Sequence, residues 1–117
     1  MPSLSQATGE FIAGMSFERI PQGALVASKN ALSDYTAVVM LGRDAPVTQL
    51  IASFESVGNE GESSVLFSPS RADARTAALI NGTSGHAHDY DDVGIAFHPA
   101  HPSVAMAPAI LAQAESM

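Results

Sequence analysis

The sequence predicts an all-α fold: antiparallel helices interrupted by one short extended connector. Three observations carry this. Apolar residues recur at three- and four-residue spacing through most of the chain, Gly and Pro punctuate it at intervals suited to helix ends, and only residues 64–67 read as extended. With 117 residues, 46% of them apolar and 15% charged, the chain suits one ordinary domain with a hydrophobic core.

Residues 4–15 read as the first helix, with Phe11 and Ile12 on an otherwise small and polar stretch that Gly9 weakens. Residues 17–21 connect it to the next, where Pro21 suits the first turn because its missing N–H is not needed there. From there to Leu41 the set Leu25, Leu32, Tyr35 and Val39 forms one stripe, with Lys29, Asn30, Ser33 and Asp34 off it. Gly42 closes this helix. Asp44 is placed to cap a third helix with Pro46 near its start, and Val47, Leu50, Ile51, Phe54 and Val57 continue the spacing to Gly58, so a helical hairpin is expected.

Residues 59–64 form a polar loop, and residues 64–67 make at most one short strand before Pro69. Ser70 followed by Asp73 gives a capping-box-like start to a helix carrying Ala72, Ala74, Ala77, Ala78, Leu79 and Ile80, whose small side chains allow close packing. Gly82 and Gly85 should fray its end into residues 86–92, because Gly costs about 1 kcal/mol relative to Ala in a helix. The acidic run there falls at the unfavourable end of the helix dipole. Ser103 is placed to cap a last helix through Ala114, apolar at Val104, Ile110 and Leu111, which Pro108 should bend or begin. Residues 112–117 carry no helix stop signal, so residues 1–117 read as a partial helical domain truncated at its C-terminus.

Five Lys plus Arg against twelve Asp plus Glu, with no basic cluster, argue against a nucleic-acid partner. The absence of Cys excludes thiolate chemistry and Cys-ligated metals. No secretory or membrane-spanning segment is visible, which makes the cytoplasm the expected location.

All four histidines, His86, His88, His98 and His101, fall within sixteen positions, interleaved with Asp89, Tyr90, Asp91 and Asp92. Imidazole titrates near neutrality and a nearby carboxylate favours its charged form, so general acid/base chemistry is the leading reading. On helical spacing His86 would share a face with Asp89 and Tyr90, and His88 with Asp91 and Asp92, so the two histidines need not act together. The bland alternatives are capping or a satisfied core contact for His86 and His88, and solvated turn positions or helix caps for Asp91 and Asp92. A metal site is disfavoured: Tyr90 and Asp91 break the HxHxDH order and no HExxH pair occurs. Residues 82–85 lack the Lys of a phosphate loop, and there is no GxSxG elbow for a serine nucleophile.

Asn81-Gly82-Thr83, His88-Asp89-Tyr90-Asp91-Asp92 and His101-Pro102-Ser103, in that order, resemble the MmgE/PrpD family, as do Pro108 to Ala112, Phe11 to Gly14 and the helix from Leu25 to Leu41. That family includes 2-methylcitrate dehydratase, cis-aconitate decarboxylase and iminodisuccinate epimerase. The resemblance implies the N-terminal part of a chain several times longer, a homodimer of lyase or epimerase type that acts on small di- or tricarboxylates without an organic cofactor. It carries the catalytic positions over to Asp89 and His101; from the residue cluster itself, His86, His88, Tyr90, Asp92 and His98 are the candidates for support, and no metal is expected. Val93 stands where the family often has Thr, and residues 94–97 lengthen the following loop relative to the decarboxylase type. These residues alone are expected to be inactive. The alternatives are a non-catalytic helical remnant that joins a partner subunit and a small His/Asp metal-binding module.

Overall fold

The computed structural model describes residues 2–55, 58–94 and 100–117. They form α1 (Leu4–Ala13), a 3-10 turn (Phe17–Arg19), α2 (Gln22–Gly42), α3 (Pro46–Phe54), the two-residue strands β1 (Ser63–Ser64) and β2 (Arg71–Ala72), α4 (Ala74–His86) and α5 (Pro102–Ser116). The all-α expectation holds, with one small antiparallel ladder pairing Ser63 with Ala72 and Ser64 with Arg71. No described helix is long and apolar enough to cross a membrane.

α4 is the central element, packed against α2 on one side and α5 on another. One core cluster joins Tyr35, Val38 and Val39 of α2 to Val104 and Ala107 of α5. A second joins Val65, Ala72, Ala77 and Ile80 to Ala112. Small residues allow the close approach. A Cβ on Gly42 would stand 1.9 Å from the Ser84 carbonyl oxygen, and one on Gly85 would stand 2.7 Å from Val104 Cγ1. The Ser84 hydroxyl donates to the Val39 carbonyl at 2.8 Å, binding α4 to α2 where they come nearest. Tyr35 is fully buried, and burial pushes its phenol ionisation well above the ordinary range.

Several local expectations are corrected. Leu32 is exposed and only the C-terminal half of α2 is buried, through Tyr35, Val38, Val39 and Gly42, so the long stripe is half used. On α3 the side turned inward carries Thr48, Ile51 and Ala52, while Val47, Leu50 and Phe54 are exposed; Val57 lies outside the described residues. Thr48 earns burial by donating to the Gly42 carbonyl at 2.8 Å. Ala45, not Asp44, is the N-cap of α3, and Asp44 instead pairs with Arg43 at 3.0 Å. Pro21 precedes α2 as its N-cap rather than entering its first turn.

The connector is a hairpin rather than one strand. Val65 N–H donates to the Ser70 carbonyl, and Phe67 closes the turn at a φ of +58°. Asn81 ties this connector to α4: its Oδ1 accepts from Leu66 N–H at 2.9 Å and its Nδ2 donates to the Ser64 carbonyl at 2.9 Å. Asp73 is the N-cap of α4, accepting from Thr76 N–H at 3.0 Å, while Glu62 accepts from Ala74 N–H at 3.4 Å and Ser70 takes no part. α4 does not fray at its glycines. Ser84 and Gly85 are buried and the helix runs to His86, because tertiary packing outweighs the propensity cost.

Candidate active site

Two helix ends build the site. α4 stops at His86, and the chain turns through Ala87 and through Asp89, which adopts a left-handed φ of +57°. Asp tolerates that conformation better than most residues because its short polar side chain bonds locally. The turn is closed by Asp89 N–H donating to the His86 carbonyl at 3.1 Å. Gly94 and Ala100 then pair, with N–H to carbonyl distances of 2.7 and 3.2 Å, which returns the chain so that His101 precedes α5 beside the end of α4.

Four side chains converge there. His86 Nδ1 lies 3.0 and 3.1 Å from the two Asp91 carboxylate oxygens. His101 Nδ1 lies 3.0 Å from Asp91 Oδ2, and its Nε2 lies 3.5 Å from Asp89 Oδ1. That short Asp91–His101 approach is off the line of the ring nitrogen, so Nδ1 has no directed hydrogen bond among the described residues and the contact acts through charge. His86 Nδ1 is 4.0 Å from Asp89 Oδ1, and the two imidazole centroids are 4.7 Å apart. The Asp91 carboxylate is 0% exposed whereas that of Asp89 is 75% exposed, so one anion is the floor of the site and the other its rim.

The expected partition of the histidines holds in part: His86 lies near Asp89 and apart from His88, but Asp91, expected beside His88, lies between His86 and His101, because α4 ends at His86 and helical spacing no longer applies beyond it. His88 and Tyr90 are exposed, and their rings lie beside each other with centroids 6.0 Å apart. Neither makes a hydrogen bond or ion pair to the cluster. Asp92 points the other way: its oxygens accept from Ser103 N–H at 3.1 Å and Ser103 Oγ at 2.7 Å, securing the first turn of α5. His101 is the backbone N-cap of that helix, Ser103 lies within its first turn, and Pro108 sits inside it. His98 lies outside the described residues.

Asp91, read from the sequence as a solvated turn residue or a cap, is the buried hub. The signal that could have found it is the Asp-Asp pair in a non-helical stretch, where consecutive side chains point to opposite sides. One address is the histidine pair and the other is the start of α5.

No Lys or Arg belongs to the cluster. Arg43 pairs with Asp44, Arg75 with Glu55, Arg71 bonds the 61–64 loop, Arg19 bonds the Gly14 carbonyl, and Lys29 lies on the exposed half of α2. One donor atom from each of His86, Asp89, Asp91 and His101 falls within 4.8 Å of the others, a spacing that also suits a divalent cation. Chemically the arrangement can accept, hold and return a proton, with a buried anion behind the two imidazoles to stabilise either as imidazolium.

The MmgE/PrpD N-terminal domain model matches residues 6–117. The chain is 28% identical over 122 residues to cis-aconitate decarboxylase of Mus musculus and 26% identical over 120 residues to cis-aconitate decarboxylase of Homo sapiens. In both, all of this chain aligns with 24% of the relative, so it spans about a quarter of the length of these curated relatives. No solved structure matches.

Proposed function

The chain belongs to the MmgE/PrpD family, and we propose that its His86, Asp89, Asp91 and His101 cluster is the acid/base part of a lyase- or epimerase-type active site for small di- or tricarboxylates. The observation that carries this reading is the buried Asp91 carboxylate 3.0 Å from the Nδ1 atoms of both His86 and His101. Such a carboxylate holds an imidazole in a fixed orientation for proton transfer. His101 takes or returns the proton on a carbon next to a substrate carboxylate. Asp89, exposed and 3.5 Å from His101 Nε2, orients that ring or bonds a substrate hydroxyl or protonated carboxyl.

The relatives' names favour decarboxylation of cis-aconitate as the first reaction to assay; the resemblance to the wider family makes dehydration of a 2-methylcitrate-like hydroxy acid the second. Val93, exposed and two residues after Asp91, stands where the family often has Thr, so a hydroxyl that could discriminate between such substrates is missing. A polyanion also needs cations, and the cluster holds two carboxylates and neither Lys nor Arg. On this reading the cationic side chains and the cover that excludes water come from outside residues 1–117, through a longer polypeptide or a partner subunit such as a second copy. These residues by themselves are then expected to show no turnover.

The test is His101→Ala within a full-length MmgE/PrpD polypeptide carrying this segment. Turnover should fall by about 100-fold or more, the ordinary worth of a general acid or base. A rate close to that of the unaltered protein rejects the assignment.

A further inference from the structure

We propose that Asp91 is a positioning residue that sets the tautomer of both histidines, holding the proton on Nδ1 and leaving each Nε2 as the working nitrogen. The inference begins from burial and distance. The Asp91 side chain is fully buried and its oxygens lie 3.0 to 3.1 Å from His86 Nδ1 and 3.0 Å from His101 Nδ1. An ionised carboxylate can only accept hydrogen bonds. An unprotonated Nδ1 would set its lone pair against an oxygen at that distance, where water does little to screen the repulsion. Protonated at Nδ1, both rings find attraction instead: His86 through a directed hydrogen bond, His101 through the positive end of its N–H dipole on an off-line approach.

The consequence lies at the other end of each ring. A neutral imidazole protonated at Nδ1 is a base at Nε2, and His101 Nε2 is the atom that faces Asp89 at the rim of the site. Free histidine favours the opposite tautomer, so Asp91 would convert two ordinary imidazoles into rings with their basic atom turned outward. An orienting carboxylate on Nδ1 is the general means of fixing a catalytic imidazole. Its use in turnover rests on the acid/base reading above. The tautomer itself does not.

The tautomers can be read directly in the full chain labelled with ring-15N histidine, from long-range 1H–15N correlations at alkaline pH where the rings are neutral. His86 and His101 should show a pyrrole-like Nδ1 and a pyridine-like Nε2, while exposed His88 shows the free-histidine pattern. Asp91→Asn should return His101 to that pattern. Asp92→Asn, which weakens the start of α5 but does not touch the rings, should leave both tautomers unchanged. A pyridine-like Nδ1 on either ring of the unaltered chain overturns the proposal, as does an unchanged His101 pattern in folded Asp91→Asn. Should Asp91→Asn not fold, the spectrum of the unaltered chain decides alone. If the Nδ1–H tautomers are found and yet His101→Ala keeps full turnover, the acid/base reading fails and the positioning by Asp91 stands.

Discussion

Gly42→Ala tests the contact on which the site is built. The new Cβ would lie 1.9 Å from the Ser84 carbonyl oxygen, 2.9 Å from its carbonyl carbon and 3.0 Å from Ala87 Cβ, and Cβ contacts under 3.0 Å are essentially never tolerated. The obstacle is backbone in the last turns of α4, so no rotamer change relieves it; the helices must separate. Separation weakens the Ser84 hydroxyl bond to Val39, now 2.8 Å, and displaces His86 two residues further on. Overpacking of this kind costs about 1–3 kcal/mol. A weakened buried hydrogen bond adds about 1 kcal/mol, and Ala returns up to about 1 kcal/mol of helix propensity. The expected net loss is about 2 kcal/mol, a fall in Tm of roughly 8–12 °C for a domain of this size. Urea and thermal unfolding of the purified chain measure it, with Gly9→Ala as control, since a Cβ there meets nothing within 4 Å. If Gly42→Ala stays within about 0.5 kcal/mol of the unaltered chain, the ordinary range for an inconsequential surface change, α2 and α4 do not approach as described.

Three further outcomes are expected. Asp92→Ala removes both bonds to Ser103 and should cost about 1–2 kcal/mol in urea unfolding, and Ser103→Ala in that background should cost little more because the partners act as a unit. The Thr76 N–H bond holds the Asp73 carboxyl below its ordinary value of 3.8, so its stabilisation is complete above that value and is lost as pH falls through the lowered folded one. Asp73→Asn, a neutral cap, should flatten this acid limb of the stability profile without changing stability much at neutral pH. Zinc or manganese titrated calorimetrically into the chain should show no stoichiometric binding. One-to-one binding reversed by chelator would favour the cation site that the converging donors also permit.

Secondary structure was legible wherever periodicity and punctuation agreed. Tyr35 and Val39 fall on one stripe of α2, Pro46 opens α3, and the small residues of α4 announce close packing, all as the structure has them. What failed was the assignment of faces. Leu32, Leu50 and Phe54 obey helical spacing yet are exposed, because periodicity finds a stripe and only the tertiary neighbour decides whether it is covered. The histidine cluster was legible as composition, since four histidines in sixteen positions need no structure to notice. Its pairing was not. His86 and His101 are fifteen residues apart and meet only because Gly85 lets Val104 approach, a relation that no local pattern encodes.

The same geometry removes an apparent electrostatic conflict. Carboxylates just after α4 sit near the negative end of that helix, and taken along the sequence they look misplaced. In space the chain turns back, and the stretch that leaves the C-terminus of α4 flanks the N-terminus of α5. Asp92 lies at that positive end and accepts from the free N–H of Ser103. His86 occupies the last turn of α4, and Asp91 lies against it from outside the helix. The two consecutive aspartates thus serve opposite helix ends: Asp91 faces a ring at the negative end of one, and Asp92 caps the positive end of the other. It follows that exchanging their roles is not conservative. Moving the carboxylate by two positions, as in the double change Asp91→Asn with Val93→Asp, preserves net charge but strips the floor from under both imidazoles, and the histidine tautomers rather than the stability should register it.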